Sequence, residues 1–346
     1  MKASRILVRA TNWVGDAVMS LPALQALRQH FPEAKISVLA RPWVADLYAR
    51  ENFADEVIPY NAARGWADLR GKYATVRRIR EGRFDAAILL QNAFEAAALV
   101  ALARVPIRIG YDRDGRGFLL THAIPVPRSG EIPEHQRFYY LELLRRAGIL
   151  ASTPDCPAIR LSSASAAAEQ GRRRFAQLGW SDVTGVSPGA AFGGAKRWLP
   201  DRFASAAMEL GWPVAIFGSV EERELCGVVL TEMQRHGWPA YNFAGETTLC
   251  EYIDLAAACR VYLTNDSGPM HIASALGVPT VAVFGATDHV ATGPTGPLAR
   301  IVRQPVECSP CLLRECPIDH RCMTRVKADA VAEAARQALA TARYPD

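Results

Sequence analysis

At 346 residues the chain is longer than a single hydrophobic core usually grows, so two domains of roughly 150 residues are expected. Its 50% hydrophobic and 22% charged residues exclude a disordered or fibrous protein. Lys2, Arg5 and Arg9 flank only a short apolar run, residues 6–8, and the longest apolar stretch, residues 96–103, is far below the ~20 residues that span a bilayer; secretion and membrane spanning are both excluded, and a cytoplasmic location is expected.

The net charge of +5 is unevenly spread. Residues 1–150 hold 22 Lys and Arg against 15 Asp and Glu, net +7, and the remainder is net −2. In chain order, a strand at 5–8, a helix at 17–30, a strand at 36–39 and a strand at 86–90 alternate in the manner of a parallel sheet covered by helices. Pro22 predicts a separate kinked turn before the regular part of the first helix. Between these strands Arg64, Arg70, Lys72, Arg77, Arg78, Arg80 and Arg83 face only Asp68 and Glu81, which fits either an anionic partner or a solvated helix face. A second cycle follows the polar stretch 151–168, giving domains 1–165 and 166–346. Its strands are predicted at 184–186, 214–217, 261–263 and 280–284, with helices beginning near Asp201, Glu221 and Thr248. An amphipathic helix at 327–343 closes the chain. Two such α/β domains leave a cleft between them.

Ligands of open α/β sheets collect beyond the carboxyl ends of the strands, so the loops there carry the candidate chemistry. After the first strand, Asn12-Trp13-Val14-Gly15-Asp16 contains no dinucleotide-binding glycine pattern and instead sets a carboxylate at a helix start, as a helix cap or as a catalytic group. The loop 187–198 places Gly189, Gly193 and Gly194 ahead of Lys196 and Arg197. Small residues let backbone amides approach a phosphate that the cations neutralise; a flexible loop is the alternative. In 264–271, Pro269 suits a first helical turn that Gly277 and Pro279 end, so the amides of Ser267 and Gly268 form an anion site, with Asp266 and His271 beside it. Cys308, Cys311, Cys316 and Cys322, with His320 among them, fit a structural zinc or reduced packing thiols.

Taken together, Asn12 to Asp16, the glycine loop ending Lys196-Arg197-Trp198, and Asn265 to Ala273 resemble glycosyltransferase family 9 over essentially the whole chain, and within it the heptosyltransferase II branch of lipopolysaccharide core synthesis. The resemblance implies the GT-B fold, two facing Rossmann-like domains, with the acceptor held by the first and the nucleotide sugar by the second. It further implies a final helix packing back toward the first domain. The implied activity is inverting transfer of heptose from ADP-heptose to the first heptose of a lipid-A-linked Kdo-heptose acceptor, with peripheral contact at the inner membrane and no nucleic acid. By the same resemblance Asp16 is the base and Lys196, with the Ser267 and Gly268 amides, stabilises the diphosphate. Asp266 and His271 touch donor, Glu221 or Glu222 touches nucleoside, and Asn12, Trp13, Arg64, Arg77 and Arg78 face the acceptor. No catalytic metal is implied, and no cofactor is required. Rival readings are heptosyltransferase I or III specificity, a nucleotide-sugar epimerase of the same fold, and a non-catalytic nucleotide-binding module.

Overall fold

A computed structural model describes residues 3–61, 63, 68–155 and 158–343, which form two compact units, Met1–Cys156 and Pro157–Asp346. The division falls inside the polar stretch 151–168, before the expected boundary at 165.

The first unit is built on strands β1 (Arg5–Arg9), β2 (Lys35–Ala40), β3 (Glu56–Pro59), β4 (Ala86–Leu89), β5 (Ile107–Tyr111) and β6 (His122–Ile124). Helices α1 (Val14–His30), α2 (Pro42–Ala49), α3 (Leu69–Glu81), α4 (Phe94–Leu102) and α5 (Gln136–Arg146) connect or cover them. All pairings are parallel, in the order β3-β2-β1-β4-β5-β6. Ile6, Leu7 and Val8 in β1 and all of β4 are buried, as continuous apolar runs covered on both faces should be.

The second unit holds α6 (Ala164–Ala176), β7 (Thr184–Ser187), α7 (Pro200–Met208), β8 (Val214–Ile216), α8 (Arg223–Arg235), β9 (Ala240–Asn242), α9 (Leu249–Ala257) and β10 (Val261–Asn265). It continues with α10 (Gly268–Ala275), β11 (Thr280–Phe284), α11 (His289–Thr292), β12 (Ala299–Arg303), α12 (Arg321–Thr324) and α13 (Ala328–Arg343). Its sheet, β12-β11-β10-β7-β8-β9, is again all parallel and follows the same three-two-one-four-five-six order as the first. Helix α6 packs closely on α9 because Gly171 leaves room: a Cβ there would lie 2.0 Å from the Asp254 carbonyl oxygen.

One expectation needs correction. Helix α1 runs unbroken through Pro22. The lost backbone bond costs about 3 kcal/mol, which burial of residues 17–24 offsets. Helix α13 contacts α7, β10, β11 and β12, and lays Val331, Ala332 and Ala335 in the second unit's core.

Strand β1 is tied to β4 at its amino end by Asp85, whose Oδ2 accepts from the Ser4 N–H (2.8 Å), the Ser4 hydroxyl (2.8 Å) and the Arg5 N–H (2.9 Å). The Ser4 and Arg5 amides, then the hydroxyl, hold this carboxyl below its usual range. A depressed folded value means stability that is present above the unfolded pKa, about 3.9, and lost as the pH falls through the folded value. Asp85→Asn should therefore cost about 1 kcal/mol at pH 7, allowing for solvent screening, and the gap should narrow below about pH 4. Urea unfolding at several pH values reads this directly; equal stability at pH 7 would remove the tie.

Candidate functional site

In both sheets the first strand lies beside the fourth, β1 beside β4 and β7 beside β10. The chain leaves these neighbours in opposite directions, and the crevice at their carboxyl ends is where such sheets bind ligands.

In the second unit, Asn265 ends β10 and is fully buried. Its Oδ1 accepts from the Trp198 N–H at 2.9 Å and its Nδ2 donates to the Pro188 carbonyl at 2.7 Å, fastening both ends of the loop that leaves β7. Inside that loop a short 3-10 turn, Gly194–Lys196, presents Lys196. Its Nζ lies 2.6 Å from Asp266 Oδ2 and 5.0 Å from the centroid of the Phe192 ring. Thr287, beyond β11, donates its hydroxyl to the same Oδ2. The Lys196 and Asp266 side chains are only 13% and 4% exposed. Asp266 thus engages the cation that follows the glycine loop. An ammonium has three donors, and the pair uses one.

Of the glycines of this loop, Gly193 is required by packing against backbone, and Gly189 and Gly194 are closely approached by carboxylates. A Cβ on Gly189 would sit 2.1 Å from Glu222 Oε1; on Gly193, 2.2 Å from the Arg314 carbonyl; on Gly194, 2.4 Å from Glu315 Oε2. The Gly194 N–H donates to Glu315 Oε1 at 2.9 Å, so this amide is committed within the chain, against the expectation of a phosphate contact through it. Of the two candidate acids, Glu222 faces the loop and closes a capping box with Ser219, while Glu221 is exposed.

Ser267 caps α10 with extended backbone and no side-chain cap bond; its hydroxyl lies 3.2 Å from that of Thr264. Pro269 stands in the first turn, which contains no acidic residue, and Gly277 follows the helix in the left-handed region, as the sequence predicted. His271 is buried at 6% exposure, one turn into α10.

In the first unit, the N-cap of α1 is Trp13, without a side-chain bond, and Asp16 is the third helical residue; the reading of Asp16 as the cap falls away. Tyr140, from α5, donates to Asp16 Oδ1 at 3.0 Å across 124 residues of sequence. Burial first, and then the Asp16 charge, push the Tyr140 hydroxyl well above its usual range and keep it a donor. Asn12 is held from two sides: its carbonyl accepts from Trp43 Nε1 and its Oδ1 from Arg9 Nη2, both at 2.8 Å. Burial lowers the Arg9 pKa to about 10, so it stays charged at neutral pH. Trp13 and Trp43 are 51% and 50% exposed.

The basic segment divides along α3. Lys72, in its first turns, pairs at 2.9 Å with Glu95 in the first turn of α4, on the carboxyl side that carries Asp16; Arg41 lies 3.9 Å from the same carboxylate. A helix rises about 1.5 Å per residue, and α3 runs back toward the amino edge. There Arg78 pairs at 3.1 Å with Glu56, the first residue of β3, and Arg77 pairs at 2.7 Å with Glu81. The structure therefore places Arg77 and Arg78 away from the Asp16 edge. Arg64 lies outside the described residues.

Cys322 is buried against Gly285; burial, then the nearby Cys308, Cys311 and Cys316, push its thiol up. Among the described residues no three His, Cys, Asp or Glu side chains are arranged to hold a metal ion. Nor, among them, is any helix long and apolar enough to cross a membrane.

Residues 73–321 match the profile of glycosyltransferase family 9 (heptosyltransferase). The chain is 32% identical over 308 residues to lipopolysaccharide heptosyltransferase 2 of Escherichia coli (strain K12), covering 86% of this chain and 88% of the relative. It is 31% identical over 311 residues to lipooligosaccharide heptosyltransferase 2 of Haemophilus influenzae, with 86% and 88% covered. The solved structure of E. coli ADP-heptose lps heptosyltransferase II matches with a TM-score of 0.82 and 29% identity, over 98% of this chain and 99% of that one.

Tyr140, Thr287 and Glu315 carry no local sequence signal, being contributed from distant elements; Asn265 was visible only as part of the motif that follows the predicted strand 261–263. Its removal in Asn265→Ala leaves the Trp198 N–H and Pro188 carbonyl buried without their partner, at about 1–3 kcal/mol each. A loss of about 3 kcal/mol in urea unfolding is expected; a change within about 0.5 kcal/mol would show the loop is held otherwise.

Proposed function

The chain belongs to glycosyltransferase family 9, the heptosyltransferases, and from that premise we propose how its two units divide the reaction. The enzyme is an inverting glycosyltransferase of GT-B type that moves L-glycero-D-manno-heptose from ADP-heptose to the first heptose of the lipopolysaccharide inner core. The observation that carries this reading is the likeness to heptosyltransferase II along nearly the full length of both proteins.

In this reading the acceptor hydroxyl gives its proton to Asp16 as its oxygen attacks the anomeric carbon. The bond to the β-phosphate oxygen breaks, and ADP departs from the opposite face. A sugar hydroxyl is a weak nucleophile at neutral pH, and a positioned base contributes about 10²–10⁴-fold. Tyr140 fixes the carboxylate by bonding Oδ1. Charge growing on the diphosphate meets Lys196 and the amino end of α10, where the Ser267 and Gly268 amides and the helix dipole favour an anion. Asp266 orients Lys196. His271 and the backbone at Gly189 and Gly193 border the donor, and Glu222 is the acid better placed for the nucleoside.

Asn12 and Trp13 face the lipid-A-linked Kdo-heptose acceptor. The cations that share their edge are Arg41 and Lys72, not Arg77 and Arg78. Exposed Trp13, Trp43 and Tyr73 beside them support peripheral contact with the inner membrane face. The chemistry assigned here calls on no metal or other cofactor.

Asp16→Asn keeps the shape of the side chain but has no basicity. We expect a folded enzyme with unchanged ADP affinity by calorimetry and kcat reduced at least about a hundredfold; retained turnover would leave Asp16 without the role of base. Lys196→Ala should lower kcat/KM by the equivalent of a few kcal/mol, with truncated core acceptor and ADP-heptose as substrates and mass spectrometry as the readout. Wild-type kcat/KM in that variant would remove Lys196 from the leaving-group site.

A further inference from the structure

The cysteine-bearing segment 306–322 is bonded to the loop that presents Lys196. The Ala195 N–H donates to the Arg314 carbonyl at 2.9 Å, the Ala195 carbonyl lies 2.9 Å from His320 Nε2, and the Gly194 N–H donates to Glu315 Oε1 at 2.9 Å. The two consecutive residues immediately before Lys196 are thus held by three bonds from one segment. For the His320 bond, Nε2 must carry the proton. The contact is too close for any side chain at Gly193 or Gly194. Arg314 and Lys196 also share the Phe192 ring, at 5.3 Å and 5.0 Å from its centroid.

The same segment grips the loop beyond β11. The Ser309 hydroxyl donates to the Gly285 carbonyl at 2.6 Å, and the Leu312 N–H to the Ala286 carbonyl at 2.8 Å. The next residue, Thr287, is the one that bonds Asp266. Segment 306–322 therefore joins the two loops whose residues meet at the Asp266 carboxylate, Lys196 from one side and Thr287 from the other.

We propose that segment 306–322 is the seat that fixes the Lys196 ammonium in register, with Glu315 and His320 as positioning residues for it. The inference rests on the reading of Lys196 as the group that stabilises the leaving diphosphate. A displacement of about 1 Å at a reacting group costs up to about 10²-fold in rate, and peptides anchored at Gly194 and Ala195 leave Lys196 little freedom to drift.

The test is a double-mutant cycle with ADP-heptose and truncated core acceptor. His320→Ala and Glu315→Ala should each lower kcat at saturating donor by about tenfold or more, while His320→Gln and Glu315→Gln, which keep a donor or an acceptor at the same place, should recover most of it. In a Lys196→Ala background the same alanine changes should cost little further, because the group they position is absent. Additive losses, unchanged kcat in both alanine variants, or loss of thermal stability with kcat intact would each overturn the proposal. An inert Lys196→Ala would instead overturn the assignment of Lys196 itself. If His320→Ala fails to fold, Glu315→Ala carries the cycle, since Glu315 is exposed apart from this bond.

Discussion

The active end of the second unit depends on one buried amide. Parallel strands β7 and β10 send their chains apart at the carboxyl edge, and the crevice this opens has to be spanned if its loops are to keep a fixed shape. Asn265 does so with both faces of its side chain, accepting from Trp198 and donating to Pro188. A buried polar group without partners costs about 1–3 kcal/mol, so the loop and the strand end specify one another. Trp198, fully buried, adds a large apolar anchor at the far end of the same loop.

On that frame the Lys196–Asp266 pair can be held nearly out of solvent. Burying two charges costs several kcal/mol per ion, and their attraction repays it only when geometry is good and further bonds satisfy the carboxylate. Here Thr287 supplies such a bond. A pair of this kind adds little to stability relative to apolar packing. In the proposed reaction its value lies in holding a cation at a defined place, where the remaining donors would meet a developing negative charge without reorganising.

The fold was legible wherever strands are buried on both faces: β1, β4, β8, β10 and β11 carry short apolar runs, and β2 and β7 were read from β-branched residues beside Ser37 and Gly185. The strands that escaped notice, β3, β6, β9 and β12, are sheet edges with exposed or polar positions, and β5, Ile-Arg-Ile-Gly-Tyr, is interrupted by Arg108 and Gly110. Motif residues after the strands were found because strand ends are where such sheets put their chemistry. What could not be read was partnership across the sequence: Tyr140 on Asp16, Thr287 on Asp266, Glu315 on Gly194. Gly189, Gly193 and Gly194 were legible as a glycine loop, but not the neighbours at 222, 314 and 315 that stand against them.

The two units share a topology, and the helix that follows the fourth strand differs between them in the charge at its amino end. In the first, both helices that follow switch-point strands carry their own carboxylate in the first turn, Asp16 in α1 and Glu95 in α4. Each fills the favourable place for negative charge at a helix amino end, worth about 0.3–1 kcal/mol, and so leaves little there to attract a ligand anion. In the second, α10 has no acid in its first turn and no side-chain cap on Ser267, while the nearest carboxylate, Asp266, is engaged by Lys196. Its amino end therefore keeps its pull for an anion. On the proposed reading, the same βαβ scaffold yields a unit suited to proton acceptance and one suited to a diphosphate through the placement of a few charged side chains, with the sheet order unchanged.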